Sequence, residues 1–525
     1  MRIALILPLR RLGRWHERLA KALAGQHAVS LFFDETAPAY PAPLRATLAA
    51  ERLIYREPPP PFSATFAERY RARSDELDPE KFDRIVDLSE RAQPRGDAIA
   101  VFYDGSPDSL ALVARLLERQ TPHLSVARPS DNTILAQSLP AVDDKSRLTR
   151  GLNLCFGRAI ALIERSLRLD RAEPPIDRST LRSAPRIRLV SLTAHVAGFF
   201  AAKLAAVLRN RLGPADHWYV VLRNGDSSLV PILEDGRSSY ADPFLFSAQG
   251  RTFVFVEELD QHSGKGVISA AEVVGDGLAQ RPVPVLERPY HLSYPVVLKD
   301  GDDIFLLPET SANAKLELYR AVEFPWRWAF DSVLIDDMAL ADATPVYYQN
   351  RWWLFAAAAE HGTTDQDELF VFYSDRLRGP WRPHARNPVK SDCRSARPAG
   401  RLVVRDGRLY RPAQDCERRY GTGIVWHEIV ELDPNRYTER EVARFEATGA
   451  GALKGVHTVD QSGSIQVLDV NVDGALGGRW NLAAEAMQRL TQDIDAAFSA
   501  KLPHWRERAA DDCAASRHSV TSRVA

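Results

Sequence analysis

HLSYPVVLKDGDDIFLLPET, residues 291–310, consists of two apolar runs around a polar Asp-Gly turn. A proline opens the first run and a carboxylate ends the second. Runs of this length around a Gly/Asp turn read as a β-hairpin. The stretch is one of a series. DPFLFSAQGRTFVFVEE starts at Asp242, YPVVLKDGDDIFLLPE at Tyr294, TPVYYQNRWWLFAAAAE at Thr344 and RPAGRLVVRDGRLYRPAQD at Arg397. Their prolines (Pro243, Pro295, Pro345 and Pro398) recur about every 50 residues, the period of a propeller blade. Each copy runs on into a third alternating segment: GVISAAEV, AKLELYRAV, ELFVFYSD and GIVWHEIV. Trp-containing segments such as FPWRWAFDSVLI follow. Three to four antiparallel strands per repeat predict a β-propeller rather than a β-sandwich. A fifth unit is expected from GVHTVDQSGSIQVLDV, with HWYVVLRNG near residue 220 closing the ring.

Upstream, strand and helix signals alternate. RIALILP, HAVSLFFD, FDRIVDLS and DAIAVFYDG are strand-like. GRWHERLAKALAG, SPDSLALVARLLERQ and TRGLNLCFGRAIALIERSLRL have helical spacing. This predicts a multidomain chain, with a Rossmann-like α/β domain on a parallel sheet (residues 1–175) ahead of an all-β five-bladed propeller (213–475). Residues 176–212 read as a linker and apolar helix, and 476–525 as a C-terminal helix and flexible tail. No GxGxxG or GxxxxGK[ST] follows any strand, so no nucleotide or other cofactor is expected.

The 525 residues carry 68 Lys plus Arg against 69 Asp plus Glu, a net charge of −1. Such a balance gives no long-range pull toward nucleic acid. Cys155, Cys393, Cys416 and Cys513 form no CxxC pair and read as buried thiols of a reducing compartment. The opening MRIALILPLRRLGRW reads as a strand rather than a signal peptide, because Arg10-Arg11 follow the short apolar run with no cleavage site. The expected location is cytoplasmic. Leu189–Leu208 is apolar but contains His195 and Lys203. A helix packed between domains is its first reading and association with the inner-membrane surface its second.

The first strand of each blade lines the channel, so its leading residues converge. Here they are Asp242, His291, Tyr294, Asp342, Arg397 and His457. Two carboxylates in one polar funnel suit glycosidic chemistry, one as acid and one as base. Glu258, Glu309 and Glu360 end second runs and add to the rim; Glu309, after Pro308, stands out. Each residue also has a structural reading. Asp242 and Asp342 can cap turns, Glu309 can sit at a blade edge, Arg397 can neutralise carboxylates, and His291 and His457 can be buried hydrogen-bonding groups. The acidic DGDD at 300–303 reads as a solvated turn, and no metal site is expected.

ADPFLF, HLSYPVVLKDGDDIFLLPET, LYRAVEFPWRW, RPHARNPV and GRLYRPAQDC resemble the N-terminal domain of the plant glucosamine inositolphosphorylceramide transferases and its bacterial relatives. The resemblance covers about residues 215–470. It implies a five-bladed propeller similar to glycoside hydrolase family 43. It also implies a glycosyltransferase domain that in the plant proteins stands apart and is not expected here. Residues 1–175 more weakly resemble the first half of a formyltransferase-like domain, without its Asn-His-Asp constellation. By carry-over Asp242 matches the blade-one general base. The blade-two Asp falls at Ser293 or Tyr294, and the acid is Asp342 or Glu309. The expectation is a carbohydrate-active protein of bacterial glycan or glycolipid metabolism with Asp242, Glu309 and Asp342 as catalytic groups. His291, Tyr294, Arg397 and His457 would bind substrate. The alternative is a sugar-binding module serving a separate glycosyltransferase.

Overall fold

Residues 2–8 are the first apolar run, and Ile3 to Leu7 are buried, as a strand covered on both faces requires. The computed structural model describes residues 1–56, 77–169, 172–173, 192–198, 201, 217–225, 227–447 and 453–472, with short pieces at 477–478, 481–482, 488 and 491–492. The N-terminal part contains β1 (Arg2–Pro8), α1 (Arg14–Ala24), β2 (Ala28–Asp34), α2 (Ala42–Tyr55), β3 (Arg84–Asp87), β4 (Ile99–Tyr103), α3 (Leu110–Leu117), β5 (Leu124–Arg128), β6 (Thr133–Ser138) and α4 (Leu148–Leu169). Its sheet has the order β2-β1-β3-β4-β5-β6.

The expected parallel sheet is only partly realised. β2, β1, β3 and β4 run parallel, whereas β5 is antiparallel to β4 and β6 antiparallel to β5. For the β5–β6 pair the reason lies in the turn between the two strands. Asn132 has φ 56° and the Asp131 carboxylate accepts the Thr133 N–H at 3.0 Å. A link that short permits a hairpin and excludes the crossover a parallel pair needs. The sheet is therefore mixed.

α4 is buried on two faces. Leu152, Cys155, Phe156, Ile160 and Ile163 pack into the α/β core, with Trp15 stacked on Phe156 at 4.7 Å. The buried Glu51 accepts the Leu148 and Thr149 N–H groups at 2.9 and 2.7 Å, a carboxylate at the positive end of the helix. The opposite face of α4 meets the propeller. A Cβ on Gly157 would lie 2.7 Å from the His361 carbonyl oxygen, so glycine lets helix and loop touch.

Five antiparallel units follow, as the repeat predicts, three of four strands and two of five. Blade 1 has Ser238–Ala248, Arg251–Asp260 and Gly266–Val274, with short outer pieces. Blade 2 has Ser293–Asp300, Asp303–Glu309, Leu316–Glu323 and Arg327–Ile335. Blade 3 is built on Leu340–Tyr348, Arg351–Ala358 and Glu368–Ser374. Blade 4 runs Val403–Arg405, Arg408–Asp415, Gly423–Leu432 and Tyr437–Glu446. Blade 5 takes Leu453–Ser462 and Ile465–Val472 from one end, and His217–Asn224 and Val230–Pro231 from the other. Ile465 pairs with Asn224 and Val472 with His217, so the expected fifth unit forms and closes the ring.

At the axis, side chains bind the blades together. Arg401 donates to the carbonyls of Val297 (3.1 Å) and Leu245 (3.2 Å) and pairs with Asp460. Gly400, at φ 131°, forms a parallel bridge with Val459, whose carbonyl oxygen would lie 1.9 Å from any Cβ. Cys155, Cys393 and Cys416 are buried free thiols, while Cys513 lies outside the described residues. Most of Leu189–Leu208 and nearly all of the 476–525 segment also lie outside them. Among the described residues no helix is long and apolar enough to cross a membrane.

Candidate functional site

The first strands of blades 1, 2 and 3 each break register at the same place. Pairing slips between Ala241 and Phe244, between Ser293 and Val296, and between Ala341 and Thr344. At each slip stands a non-glycine residue with positive φ: Asp242 at 49°, Tyr294 at 47° and Asp342 at 52°. Blade 5 slips likewise between Val456 and Val459, at His457 and Thr458. A bulge re-aims a side chain that regular alternation would turn elsewhere. Three uncommon backbone conformations at equivalent positions mark the site.

Asp242 is buried. Its Oδ1 accepts from His457 Nε2 (2.9 Å) and Thr458 Oγ1 (2.8 Å), and its N–H donates to Asp469 Oδ2 (3.0 Å). Its Oδ2 receives no hydrogen bond among the described residues. Burial works against the charge of Asp242, but the His457 hydrogen bond and charge hold the carboxyl below its ordinary value. His457 Nε2 also lies 3.0 Å from Asp469 Oδ2. Burial alone would lower His457; the Asp469 charge and the Asp242 hydrogen bond push it up to about 10. Asp242, His457 and Asp469 offer ligand atoms within 4.8 Å of one another, a set that a small cation could use. At neutral pH the His457 proton occupies that position, and a cation would have to displace it.

Across the bulge lies Glu257, which the sequence reading missed in favour of Glu258. Glu258 accepts from Ser269 Oγ at 2.6 Å. Glu257 is buried, and burial together with the Asp242 charge raises it above the usual carboxylate range. It pairs at 3.1 Å with His291 Nε2, whose side chain is 38% exposed. The Glu257 hydrogen bond raises His291 in turn. His291 Nδ1 accepts the Gly266 N–H at 3.0 Å.

Tyr294 has no exposed surface. Its hydroxyl contacts Thr344 Oγ1 (3.0 Å) and accepts the Gly400 N–H (2.7 Å), joining blades 2, 3 and 4. That placement suits an axial strut; contact with a ligand would need the strut to move. Asp342 takes Arg397 Nε at 2.6 Å and Nη2 at 3.3 Å, plus Gln414 Nε2 at 3.1 Å. Burial and the Glu309 and Asp242 charges raise Asp342, against the opposing charge of Arg397. Glu309 accepts the Asp342 N–H (2.9 Å) and the Ser311 hydroxyl (2.6 Å). Arg397 also pairs with the half-exposed Asp365 at 2.7 Å and lies over the Tyr420 ring.

Tyr420 and Trp218 are further residues the sequence reading missed. Both are partly exposed. Their rings flank His457, with centroids 5.2 and 4.4 Å from it. The site thus joins an ionised acceptor (Asp242), a proton-bearing pair (Glu257–His291), an Arg–carboxylate cluster and an aromatic rim.

Residues 233–471 match the family model described as glucosamine inositolphosphorylceramide transferase 1, N-terminal. Glucosamine inositolphosphorylceramide transferase 1 of Oryza sativa subsp. japonica is 36% identical over 232 residues, which are 41% of this chain and 31% of that protein. The Arabidopsis thaliana protein of the same name is 35% identical over 208 residues, 38% of this chain and 27% of its own length. The matches thus span less than a third of those relatives. Among solved structures the chain is similar to Zg3597, a family 117 glycoside hydrolase from Zobellia galactanivorans (TM-score 0.34, 12% identity, 51% of this chain and 95% of that one). It is also similar to an alpha-L-arabinofuranosidase from Lactobacillus brevis (TM-score 0.34, 12% identity, 47% and 88%).

Proposed function

We propose, from a propeller segment similar to the N-terminal domain of the glucosamine inositolphosphorylceramide transferases, that this chain is a carbohydrate-active protein of glycolipid or glycan metabolism. Its axial site takes the sugar part of a glycolipid and acts on it by acid/base chemistry. One observation carries the reading: two carboxyls on neighbouring strands of blade 1, Asp242 and Glu257, are driven in opposite directions by their surroundings. Titratable groups pushed apart in this way are the mark of an acid/base pair. Asp242, ionised and with one oxygen uncommitted, is the proton acceptor. Glu257 carries the proton, and the half-exposed His291 links it to solvent. Trp218 and Tyr420 supply faces on which a sugar ring stacks. Asp342, Glu309 and Arg397 hold the cluster in place, since their polar atoms are largely occupied by one another.

A second reading rests on that same occupancy. With Asp342 and Glu309 both engaged, the funnel has fewer uncommitted acids than a glycosidase pair uses, which favours a sugar-binding module serving a separate glycosyltransferase. Asp242→Asn and Glu257→Gln separate the two. For the enzyme, both variants keep binding of a glucosamine-bearing glycolipid and lose release or transfer of its sugar by 100-fold or more, a loss on the order expected for a general acid or base. For the binding module, wild type shows no turnover and Asp242→Asn weakens binding. Unchanged turnover in both variants removes the acid/base assignment.

A further inference from the structure

A second cavity lies away from the axis, between the C-terminal half of α4 and the outer parts of blades 3 and 4. Its volume is about 730 Å³, within the range of small-molecule sites. Arg165 enters it from the α/β layer; Arg386, Lys390 and His427 enter from the propeller.

The hydrogen-bond inventory of this cleft is lopsided. Its carboxylates are committed: Glu439 to Lys390 and Arg411, Asp392 to Arg394, Glu441 to Arg444 and Glu173 to Arg165. Its donors are not. The Arg165 side chain is 9% exposed, and two of its three nitrogens, Nε and Nη1, have no partner among the described residues. The Arg386 guanidinium makes no ion pair or hydrogen bond among them. His427 is buried, and its Nε2 lies 3.3 Å from Lys390 Nζ. An ammonium only donates, so Nε2 accepts and the proton sits on Nδ1, which also lacks a partner. Buried donors without acceptors are costly, above all on a permanent cation. The missing component is a group rich in acceptor oxygens and negatively charged. A phosphoryl group meets both needs and is the match for arginine forks.

We propose that the cleft between the α/β layer and blades 3 and 4 binds the phosphoryl group of a phosphorylated small molecule, through Arg165, Arg386 and His427. Because both domains line the cleft, such a ligand also fastens them together.

The test uses the full chain, titrated by calorimetry and thermal unfolding at constant ionic strength. The probes are inorganic phosphate, glucose 6-phosphate, glucose and vesicles bearing phosphatidylinositol 4-phosphate. Saturable heat and a rise in melting temperature with inorganic phosphate and glucose 6-phosphate, but not glucose, support a soluble ligand. Binding confined to the vesicles supports a lipid head group. In either case Arg165→Met and Arg386→Ser each weaken binding about tenfold or more, the loss of one charge-assisted hydrogen bond. Arg386 is partly exposed and unpaired, so its variant reports on the cleft even where Arg165→Met destabilises the fold. No saturable response to any phosphorylated probe, or an equal response in wild type and Arg386→Ser, overturns the proposal.

Discussion

His457 carries one proton between two carboxylates, and that proton has a pH signature. Its folded value of about 10 lies above the ordinary imidazole value of about 6.5. A group that holds its proton more tightly when folded stabilises the fold fully below the unfolded value, and loses that contribution as pH rises to the folded one. Wild type is therefore expected to lose stability between pH 6.5 and 10 more steeply than His457→Gln, by urea unfolding at closely spaced pH. Equal slopes would remove the proton from this position. Asp242 acts with the opposite sign, its depressed value adding stability that disappears as acid protonates it. Single residues were unevenly readable. Asp242, Asp342 and His457 lead the inner strands, and the repeat alone places them together. Glu257 was missed because the reading took the carboxylate that ends the second run, Glu258, and the bulge in the facing strand that turns Glu257 toward Asp242 leaves no mark in the sequence. Trp218 and Asp469 reach the axis only through the closing blade, Tyr420 comes from the blade 4 loop between Arg408–Asp415 and Gly423–Leu432, and these segments carry no local mark of function.

At the scale of the strand and its bulge, backbone geometry explains more than side-chain chemistry. Positive φ at Asp242, Tyr294 and Asp342 turns three side chains onto one axis, at a cost each strand must offset by its cross-blade bonds. Gly400 is the corresponding point in blade 4. Gly400→Ala places a Cβ against the Val459 carbonyl and forces an alanine to φ 131°. The expected cost is about 3 kcal/mol of stability, read by chemical denaturation, with wild-type behaviour arguing against the close approach. The hairpins, their turns and the fifth unit were legible from period and punctuation. The β5–β6 hairpin was not, because the turn Ser130–Asn132 sits between short runs that mimic one more α/β crossover. A helix buried on two faces, such as α4, also hides its second face from a periodicity reading: Gly157 and Arg158 look like its polar side until the propeller is set against them.

For the whole molecule, the decisive contact is Arg158, fully buried between the layers. It pairs with Asp367 at 2.6 Å and with Glu368, while Asp367 also accepts the Ala141 N–H at 3.1 Å. Leu139 forms a parallel bridge with Asp392, so backbone as well as charge crosses the junction. Arg158→Met leaves two buried carboxylates without their cation, and a loss of about 3–5 kcal/mol is expected. Limited proteolysis should then cut between the α/β layer and the propeller faster than in wild type; unchanged cleavage would mean that the layers are held elsewhere. None of this junction was readable from the chain, since partners some 200 residues apart share no local pattern. The closure of blade 5 has a practical consequence. The family match begins at residue 233, downstream of His217–Asn224. A gene trimmed to that boundary discards the latch and leaves Ile465–Val472 with a bare row of amides and carbonyls, ready to recruit the same strand from a neighbouring copy. Expression from residue 233 is expected to yield aggregate where a start ahead of 217 does not.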